Sequence, residues 1–203
     1  MVTVGYPPIY VLRHGETTWN REGRCQGHLD APLTPEGEAQ ALRQGQILRA
    51  KVFSQHPECA VRVSPLGRAR ATWDLVAQGA GRVDHPAQIE PRLAEVHMGA
   101  WQGRLREDFL AEDAAARAHP NLFELSLNTP GGESYEALKA RLEDCLATIT
   151  GPTICVTHGI TSQVLRGVLC GLSREDMAGL GHDQGIVYCL ENGRETRLDD
   201  LDP

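Results

Sequence analysis

The chain has 203 residues, of which 41% are hydrophobic and 23% charged, and its formal net charge is −7. This length suits one sizeable domain, and the composition is that of a globular protein rather than a disordered one. The negative charge argues against nucleic acid or an anionic membrane surface as the main partner. Any anion site in this chain must therefore be a local basic pocket.

Two features of the sequence bear on the cellular compartment. Residues 1–8 lack the basic and apolar stretches of a signal peptide, and no apolar run is long enough to span a bilayer. The six cysteines are scattered without close pairs, unlike the spacing of a zinc ribbon or a redox motif. We therefore expect a reduced, cytoplasmic protein, whose oligomeric state the sequence leaves unknown.

The first part of the chain predicts two strand–helix units. An apolar run over residues 9–12 predicts a strand, followed by a polar loop with one helical turn. A helix is expected to begin after Thr34, because threonine is a favoured N-cap and proline suits the first helical position. Residues 60–64 predict a second strand, and residues 67–78 predict a second helix.

The middle of the chain is less regular. Residues 89–96 predict a short strand that runs into a loop. Alanine-rich composition predicts a single helix over residues 104–119, stopped by Pro120. Residues 121–130 are expected to be irregular, with three apolar side chains available to pack or to line a pocket: Leu122, Phe123 and Leu125.

The last part of the chain returns to alternating elements. A helix is predicted over residues 134–149, with Ser134 as its N-cap. Residues 153–157 form an apolar run of the kind that is buried on both faces of a parallel sheet. This strand ends at His158, and an apolar helix is predicted over residues 160–169.

The order of elements predicts an α/β fold, a three-layer α/β/α sandwich with a mostly parallel central sheet. A terminal hairpin over residues 185–198, turning at Asn-Gly, supplies one antiparallel edge. We expect a single domain over residues 1–203, with a small helical excursion over roughly residues 100–130 covering the pocket. Ligands of such sheets bind at the carboxyl ends of the strands, so residues 13–14, residues 64–68 and His158 should converge.

The side chains at those strand ends suit a phosphate. Arg13 and Arg68 offer charge-assisted donors and His158 a further donor, which fits a tetrahedral dianion better than a flat carboxylate. Arg68 lies at a helix start, where the dipole disfavours positive charge, and this conflict favours a functional role. His14 is a candidate nucleophile, base or ligand. No histidines have metal-ligand spacing, so no metal is implied. Several carboxylates remain open as the acid for a leaving alkoxide: Glu95, Glu107, Glu112 and Glu133.

Five motifs, in one order along nearly the whole chain, resemble those of the histidine phosphatase superfamily, in its phosphoglycerate mutase-like branch. They are residues 13–20 (RHGETTWN), residues 64–69 (SPLGRA), Glu95, residues 130–134 (PGGES) and residues 157–159 (THG). Their number and order make the resemblance specific.

The resemblance implies a role for each matching residue. His14 is expected to be the phosphorylated nucleophile, and Glu95 the general acid and then the base for the attacking water. The phosphate is expected to be held by Arg13, Arg68 and His158. The predicted substrate contacts are Asn20, Gln26, Thr17 and Gly159. No metal and no cofactor are expected.

Other polar residues receive supporting roles. Glu133 is expected to support the turn before its helix and to bond to the loop after His14. His28, His97 and His182 are expected at the surface or beside the site, and the roles of His97 and of residues 104–130 in specificity stay open.

Three features favour a phosphatase over a mutase, and the first is that the loop over residues 20–30 resembles the phosphatase members of the family more than the mutases. Residues 96–129 carry isolated arginines and no Arg-Arg pair of the kind that the mutases use for the substrate carboxylate. The acidic end of the chain, residues 198–203, lacks the basic character expected of a tail that closes over phosphate. We therefore expect a metal-independent phosphomonoesterase that forms a phosphohistidine and acts on a small phosphorylated metabolite of unknown identity. The alternatives are mutase-type transfer between hydroxyls and a non-catalytic phospholigand-binding module.

Overall fold

A computed structural model describes residues 5–119 and 121–199 of the chain. The predictions made on the first four residues, on Pro120 and on the acidic residues 200–203 lie outside the described residues.

Six strands form a mixed sheet. They are β1 (Ile9–Arg13), β2 (Ala60–Val63), β3 (Gln88–Ile89), β4 (Thr153–Thr157), β5 (Val187–Glu191) and β6 (Arg194–Leu198). Their order across the sheet is β3-β2-β4-β1-β5-β6. Strands β1 to β4 pair in parallel, whereas β5 runs antiparallel to both β1 and β6. The mostly parallel sheet with one antiparallel edge is confirmed.

Helices cover both faces of this sheet. In the described part of the chain they are α1 (Thr18–Glu22), α2 (Pro35–Lys51), α3 (Gly67–Ala80), α4 (Arg106–Glu112), α5 (Ala114–Arg117), α6 (Leu122–Leu127), α7 (Tyr135–Leu146), α8 (Gly159–Cys170) and α9 (Arg174–Ala178). Strand β1 separates two apolar clusters, because Ile9 and Val11 pack with α7 and α8, whereas Tyr10 and Leu12 pack with α2 and α3. The predicted three layers are confirmed. None of the described helices has the length and apolarity to cross a membrane.

The middle of the chain differs from the prediction. The single helix expected over residues 104–119 is two helices, because Asp113 adopts an extended backbone and its carboxylate caps the second helix at the N–H groups of Ala115 and Ala116. The irregular segment expected over residues 121–130 is wrong for Leu122–Leu127, which form α6, since the side chain of Asn121 caps this helix at the N–H of Glu124. These three short helices, α4 to α6, form the excursion over the sheet.

Three strand ends meet where the site was expected. Strands β2, β4 and β1 are neighbours in that order. Their ladders continue one residue beyond the strands, with the N–H of His14 bonded to Thr157 and that of Ser64 to Val156, both at 3.0 Å. Residues 13–14, Ser64 and His158 therefore lie side by side at the carboxyl edge, as predicted.

Candidate active site

His14 follows β1 and is only 2% exposed. Its Nδ1 lies 2.8 Å from the carbonyl oxygen of Gly15, which only accepts, so Nδ1 carries the proton and donates it. The other ring nitrogen, Nε2, is therefore unprotonated and carries a lone pair. Burial, then the charges of Arg68 and Arg13, lower the pKa of His14 well below 6.5. The ring is neutral at neutral pH, with Nε2 ready to act as a nucleophile.

The loop after His14 needs a glycine. A Cβ on Gly15 would lie 2.2 Å from the carbonyl oxygen of Gly37, in the first turn of α2. The N–H of Gly15 donates to Thr72 Oγ1 at 3.0 Å, so the loop is held against both α2 and α3. This close approach fixes the carbonyl that sets the tautomer of His14.

Arg68 is buried beside the nucleophile, and its Nε donates to Nε2 of His14 at 3.3 Å. The guanidinium also donates to the carbonyls of Gly27 and Leu29, both at 2.8 Å, and pairs with Asp30 at 2.9 Å. The Asp30 carboxylate accepts the N–H groups of Gly67 at 2.6 Å and Arg68 at 3.2 Å. A negative charge thus caps α3, which offsets the unfavourable position of an arginine at its start.

Arg13 lies on the wall of the same cleft. Its Nη1 donates to the carbonyl of His182 at 2.7 Å, whereas its Nε is buried with no hydrogen-bond partner in the described part of the chain. A buried charged donor without a partner is costly in a folded protein, so this side chain is suited to bind an anion.

His158 lies against His14, with ring centroids 5.1 Å apart. Its Nε2 is 2.7 Å from the hydroxyl of Ser64, while Nδ1 is buried and has no partner within the described residues. Burial, then Arg68 and His14, lower the pKa of His158 well below 6.5. The structure brings His158 to the nucleophile but does not expose it on the cleft wall.

Glu95 lies on the cleft wall, and its carboxylate is held by hydrogen bonds. It accepts the N–H groups of Val96 and Thr161 at 3.0 Å and that of Ile160 at 3.3 Å. The hydroxyl of Thr161 adds a fourth bond at 2.9 Å. Because three of these four donors belong to the first turn of α8, the strand end that carries His158 also fixes the candidate acid.

The loop of Glu95 is anchored from behind by Arg141 of α7. This guanidinium forms a bidentate pair with Glu133 at 2.7 and 2.9 Å, and it binds the carbonyls of Arg92, Ala94 and Glu95. The expected contact between Glu133 and the loop after His14 is wrong, because both carboxylate oxygens of Glu133 accept hydrogen bonds from Arg141 instead. The PGGES motif therefore supports the acid loop.

The predicted substrate contacts divide into two groups. Asn20, Gln26 and Gly159 line the cleft. Thr17 does not, because it is fully buried behind Asn20, where its hydroxyl accepts the N–H of Asn20 at 3.1 Å and caps α1. The structure therefore places Thr17 in a supporting position, away from the cleft wall.

The outer part of the cleft contains residues that sequence reasoning misses. The outer wall of the cleft includes Trp19, Arg24, Met98, Arg106, Ser126 and His182. Of the three apolar candidates, Leu122 reaches the wall, whereas Phe123 and Leu125 enter the core. Two loops far apart in sequence form this wall by pairing, with the N–H of Cys25 bonded to Arg104 at 2.9 Å. Such a pairing has no local sequence signal.

Two further histidines near the site, His28 and His97, support the loop of Glu95. The Nε2–H of His28 donates to the carbonyl of Glu95 at 2.8 Å, and the ring of His97 packs edge-on against that of His28. No group of three or more His, Cys, Asp or Glu residues in the described ranges is arranged to hold a metal ion.

Comparisons with known proteins agree with this geometry. The family model described as histidine phosphatase superfamily (branch 1) matches residues 9–198. A curated relative from Salmonella paratyphi C, named "Probable phosphoglycerate mutase GpmB", is 34% identical over 169 residues, which cover 81% of this chain and 75% of the relative. The alpha-ribazole phosphatase from Shigella flexneri is 27% identical, with a TM-score of 0.76 and 96% of each chain covered. Bacillus stearothermophilus YhfR is 27% identical, with a TM-score of 0.79 over 97% of this chain and 98% of that one.

Proposed function

The chain belongs to the histidine phosphatase superfamily (branch 1), and on that premise we propose that it is a metal-independent phosphomonoesterase that works through a phosphohistidine at His14. The observation that carries the proposal is the state of His14. The Gly15 carbonyl holds the proton on Nδ1, so Nε2 keeps its lone pair, which accepts a hydrogen bond of 3.3 Å from Nε of Arg68 until a phosphate takes that donor. A neutral nucleophile beside a fixed cation is what attack on a phosphate dianion requires.

In the first step, Nε2 of His14 attacks phosphorus and the bond from phosphorus to the ester oxygen breaks. Arg13 and Arg68 stabilise the charge on the non-bridging oxygens. His158, which is buried against His14, has one ring nitrogen without a partner in the described residues and is proposed as a further donor once a phosphoryl group occupies Nε2 of His14. Glu95 in its protonated form gives its proton to the departing alkoxide. The substrate leaves as an alcohol, and the phosphoryl group stays on His14.

In the second step, the Glu95 carboxylate accepts a proton from a water molecule, whose oxygen attacks the phosphohistidine. The bond from phosphorus to Nε2 breaks, inorganic phosphate forms, and Nε2 regains its lone pair. Glu95 ends the cycle protonated, as it began. The hydrogen bonds from the first turn of α8 keep the carboxylate in position for both transfers.

The outer wall supports a small phosphorylated metabolite as the substrate. Trp19, Met98 and Leu122 give the cleft an apolar side, and Arg24 and Arg106 bring positive charge to it. The likeness to an alpha-ribazole phosphatase is in keeping with hydrolysis of a phosphate ester. We propose no nucleic-acid or membrane partner, a single domain over residues 1–203, and the cytoplasm as the compartment, which the six free cysteines support.

Phosphoglycerate mutase-type transfer is the second candidate, favoured by the name of the curated relative. Both reactions share the first step, and they differ in whether a second hydroxyl or water takes the phosphoryl group. The protein should be given a phosphoglycerate while released phosphate and isomerised product are followed together. Release that outpaces isomerisation supports the phosphatase, and the opposite order would establish the mutase.

The catalytic proposal is tested with an aryl phosphate and the substitution His14→Ala. The wild type should hydrolyse the ester, and the variant should lose the activity. His85→Ala is a matched control, since His85 is bonded to the carbonyl of Cys59 far from the cleft and its loss should leave turnover unchanged. A wild type that binds inorganic phosphate without hydrolysing any ester would instead be a phospholigand-binding module.

A further inference from the structure

The side chain of Asn20 is fixed in one orientation on the cleft wall. Its Oδ1 accepts the N–H and the hydroxyl of Thr17, both at 3.1 Å, and the Nε2–H of Gln184 at 3.3 Å. A backbone N–H only donates, so the atom facing Thr17 must be the amide oxygen. Three donors saturate that oxygen. The amide NH2 of Asn20 is then the end left for the cleft.

Gln184 is likewise fixed in one orientation. Its Nε2 donates to the carbonyl oxygen of His14 at 3.0 Å, and this oxygen only accepts. The same NH2 group therefore bridges the backbone of the nucleophile and the side chain of Asn20. No sequence motif marks Gln184, which is more than 160 residues from both partners.

The loop that carries Gln184 is tied to the rest of the fold on several sides. In this loop, residues 181–185, the carbonyl of His182 accepts from Arg13, and the N–H of Asp183 donates to the hydroxyl of Tyr188 at 3.2 Å. The carboxylate of Asp183 pairs with Arg197 at 2.6 Å. The loop thus contacts Arg13, His14 and Asn20, three of the residues predicted to surround the phosphoryl group.

From these contacts we infer that Gln184 is a positioning residue, which holds the amide NH2 of Asn20 toward the phosphoryl group on His14. The inference rests on the proposed function. Without Gln184 the oxygen of Asn20 keeps only its bonds to Thr17, and the amide gains freedom to turn. A carboxylate at position 184 faces two carbonyl oxygens, those of His14 and Asn20, and repels both.

The test compares kcat/KM of Gln184→Ala and Gln184→Glu on an aryl and an alkyl phosphate. Alanine removes both neutral hydrogen bonds of Gln184, and loss of the one that fixes Asn20 predicts a decrease of roughly threefold to tenfold, with a larger decrease for glutamate. Both esters should be affected equally, because Asn20 holds the phosphoryl group and not the leaving group. Glutamate that is as active as alanine, or losses confined to the alkyl ester, would overturn the inference.

A double-mutant cycle separates positioning from general loosening of the loop. In the Asn20→Ala background, Gln184→Ala should cause less than half of the fold-loss it causes alone, because its action through Asn20 has been removed and only its bond to the His14 carbonyl remains. If the decrease in kcat/KM of the double variant equals the product of the decreases in the two single variants, the inference is contradicted. Asp183→Asn is the matched control, since it changes the neighbouring side chain in the same loop without touching Asn20, and kcat/KM should stay within about twofold of wild type.

These outcomes are distinguishable from failure of the proposed function. If the wild type has no activity, or His14→Ala retains it, the proposed function fails before the Gln184 variants are compared. If wild type is active and His14→Ala is not, the Gln184 results test the inference alone. Thermal unfolding of each variant identifies any that fails to fold, and the alanine variant suffices where the glutamate variant does so.

Discussion

Substitution of Arg141 tests how the acid loop is held in place. Arg141→Met keeps much of the side-chain volume and removes the bidentate pair with Glu133 together with the bonds to the carbonyls of Ala94 and Glu95. The two side chains of the pair are only 20% and 17% exposed, so solvent replaces the lost contacts poorly. Breaking a pair that is this buried, and leaving its carboxylate unpaired, should cost about 3 kcal/mol. For a chain of this size that corresponds to a decrease in Tm of roughly 6–12 °C.

The same substitution should affect catalysis selectively. A displaced Glu95 delivers its proton poorly, so hydrolysis of an alkyl phosphate should slow by roughly tenfold to a hundredfold. An aryl phosphate has a good leaving group and should lose less than about threefold. The assay measures kcat/KM on both esters at a temperature where the variant is folded.

Lys139→Met is the control on the same helix. Its ion pair with Glu143 is exposed, so the substitution should cost no more than about 0.5 kcal/mol and change neither rate. If Arg141→Met slows both esters equally, or leaves both rates unchanged, Arg141 does not position Glu95 and the reasoning is refuted.

Three further predictions follow from the site. Glu95→Gln should slow alkyl phosphate hydrolysis roughly a hundredfold or more and an aryl ester less, and equal losses in kcat/KM would remove Glu95 from the acid role. Asp30→Ala should destabilise the protein by about 2 kcal/mol in urea unfolding, because α3 loses its cap. Because Asp30 also pairs with Arg68, the substitution should weaken competitive inhibition by inorganic phosphate, and unchanged inhibition would contradict this link. Stability should also depend on pH. The pKa values of His14 and His158 are well below 6.5 in the native state. Above pH 6.5 both side chains are therefore neutral in the folded and in the unfolded chain, and their titration does not change stability there. As pH falls below 6.5, only the unfolded chain takes up these protons, and stability falls by about 1.4 kcal/mol per pH unit for each histidine. The urea midpoint should thus fall less steeply in His14→Asn than in wild type, and equal slopes would refute the pKa assignment.

The parts of the fold that local pattern decides are predicted from the sequence. The apolar runs of β1 and β4 have the composition of strands buried on both faces, and Thr34 and Ser134 cap their helices as expected. Because parallel strands end at one edge of a sheet, the same patterns also predict that His14, Arg68 and His158 meet.

Two kinds of feature are not predicted, namely helix boundaries that a single residue sets and contacts between remote segments. The break at Asp113 is set by one backbone conformation, and the helix after Asn121 by a single cap, inside a stretch whose composition suits several structures. The partner of Glu133 and the bonds of Gln184 arise only once remote segments pack together. Sequence reasoning therefore finds the chemical groups and misses what orients them.

The phosphohistidine itself is the most direct test of the account. The protein should be mixed with a radiolabelled phosphomonoester, quenched rapidly and digested, and the labelled peptide identified by mass spectrometry. We expect an acid-labile, alkali-stable phosphoryl group on His14, absent in His14→Ala and increased in Glu95→Gln with an aryl ester, because that variant dephosphorylates slowly. Active protein that carries no label, or label on any residue other than His14, would contradict the account.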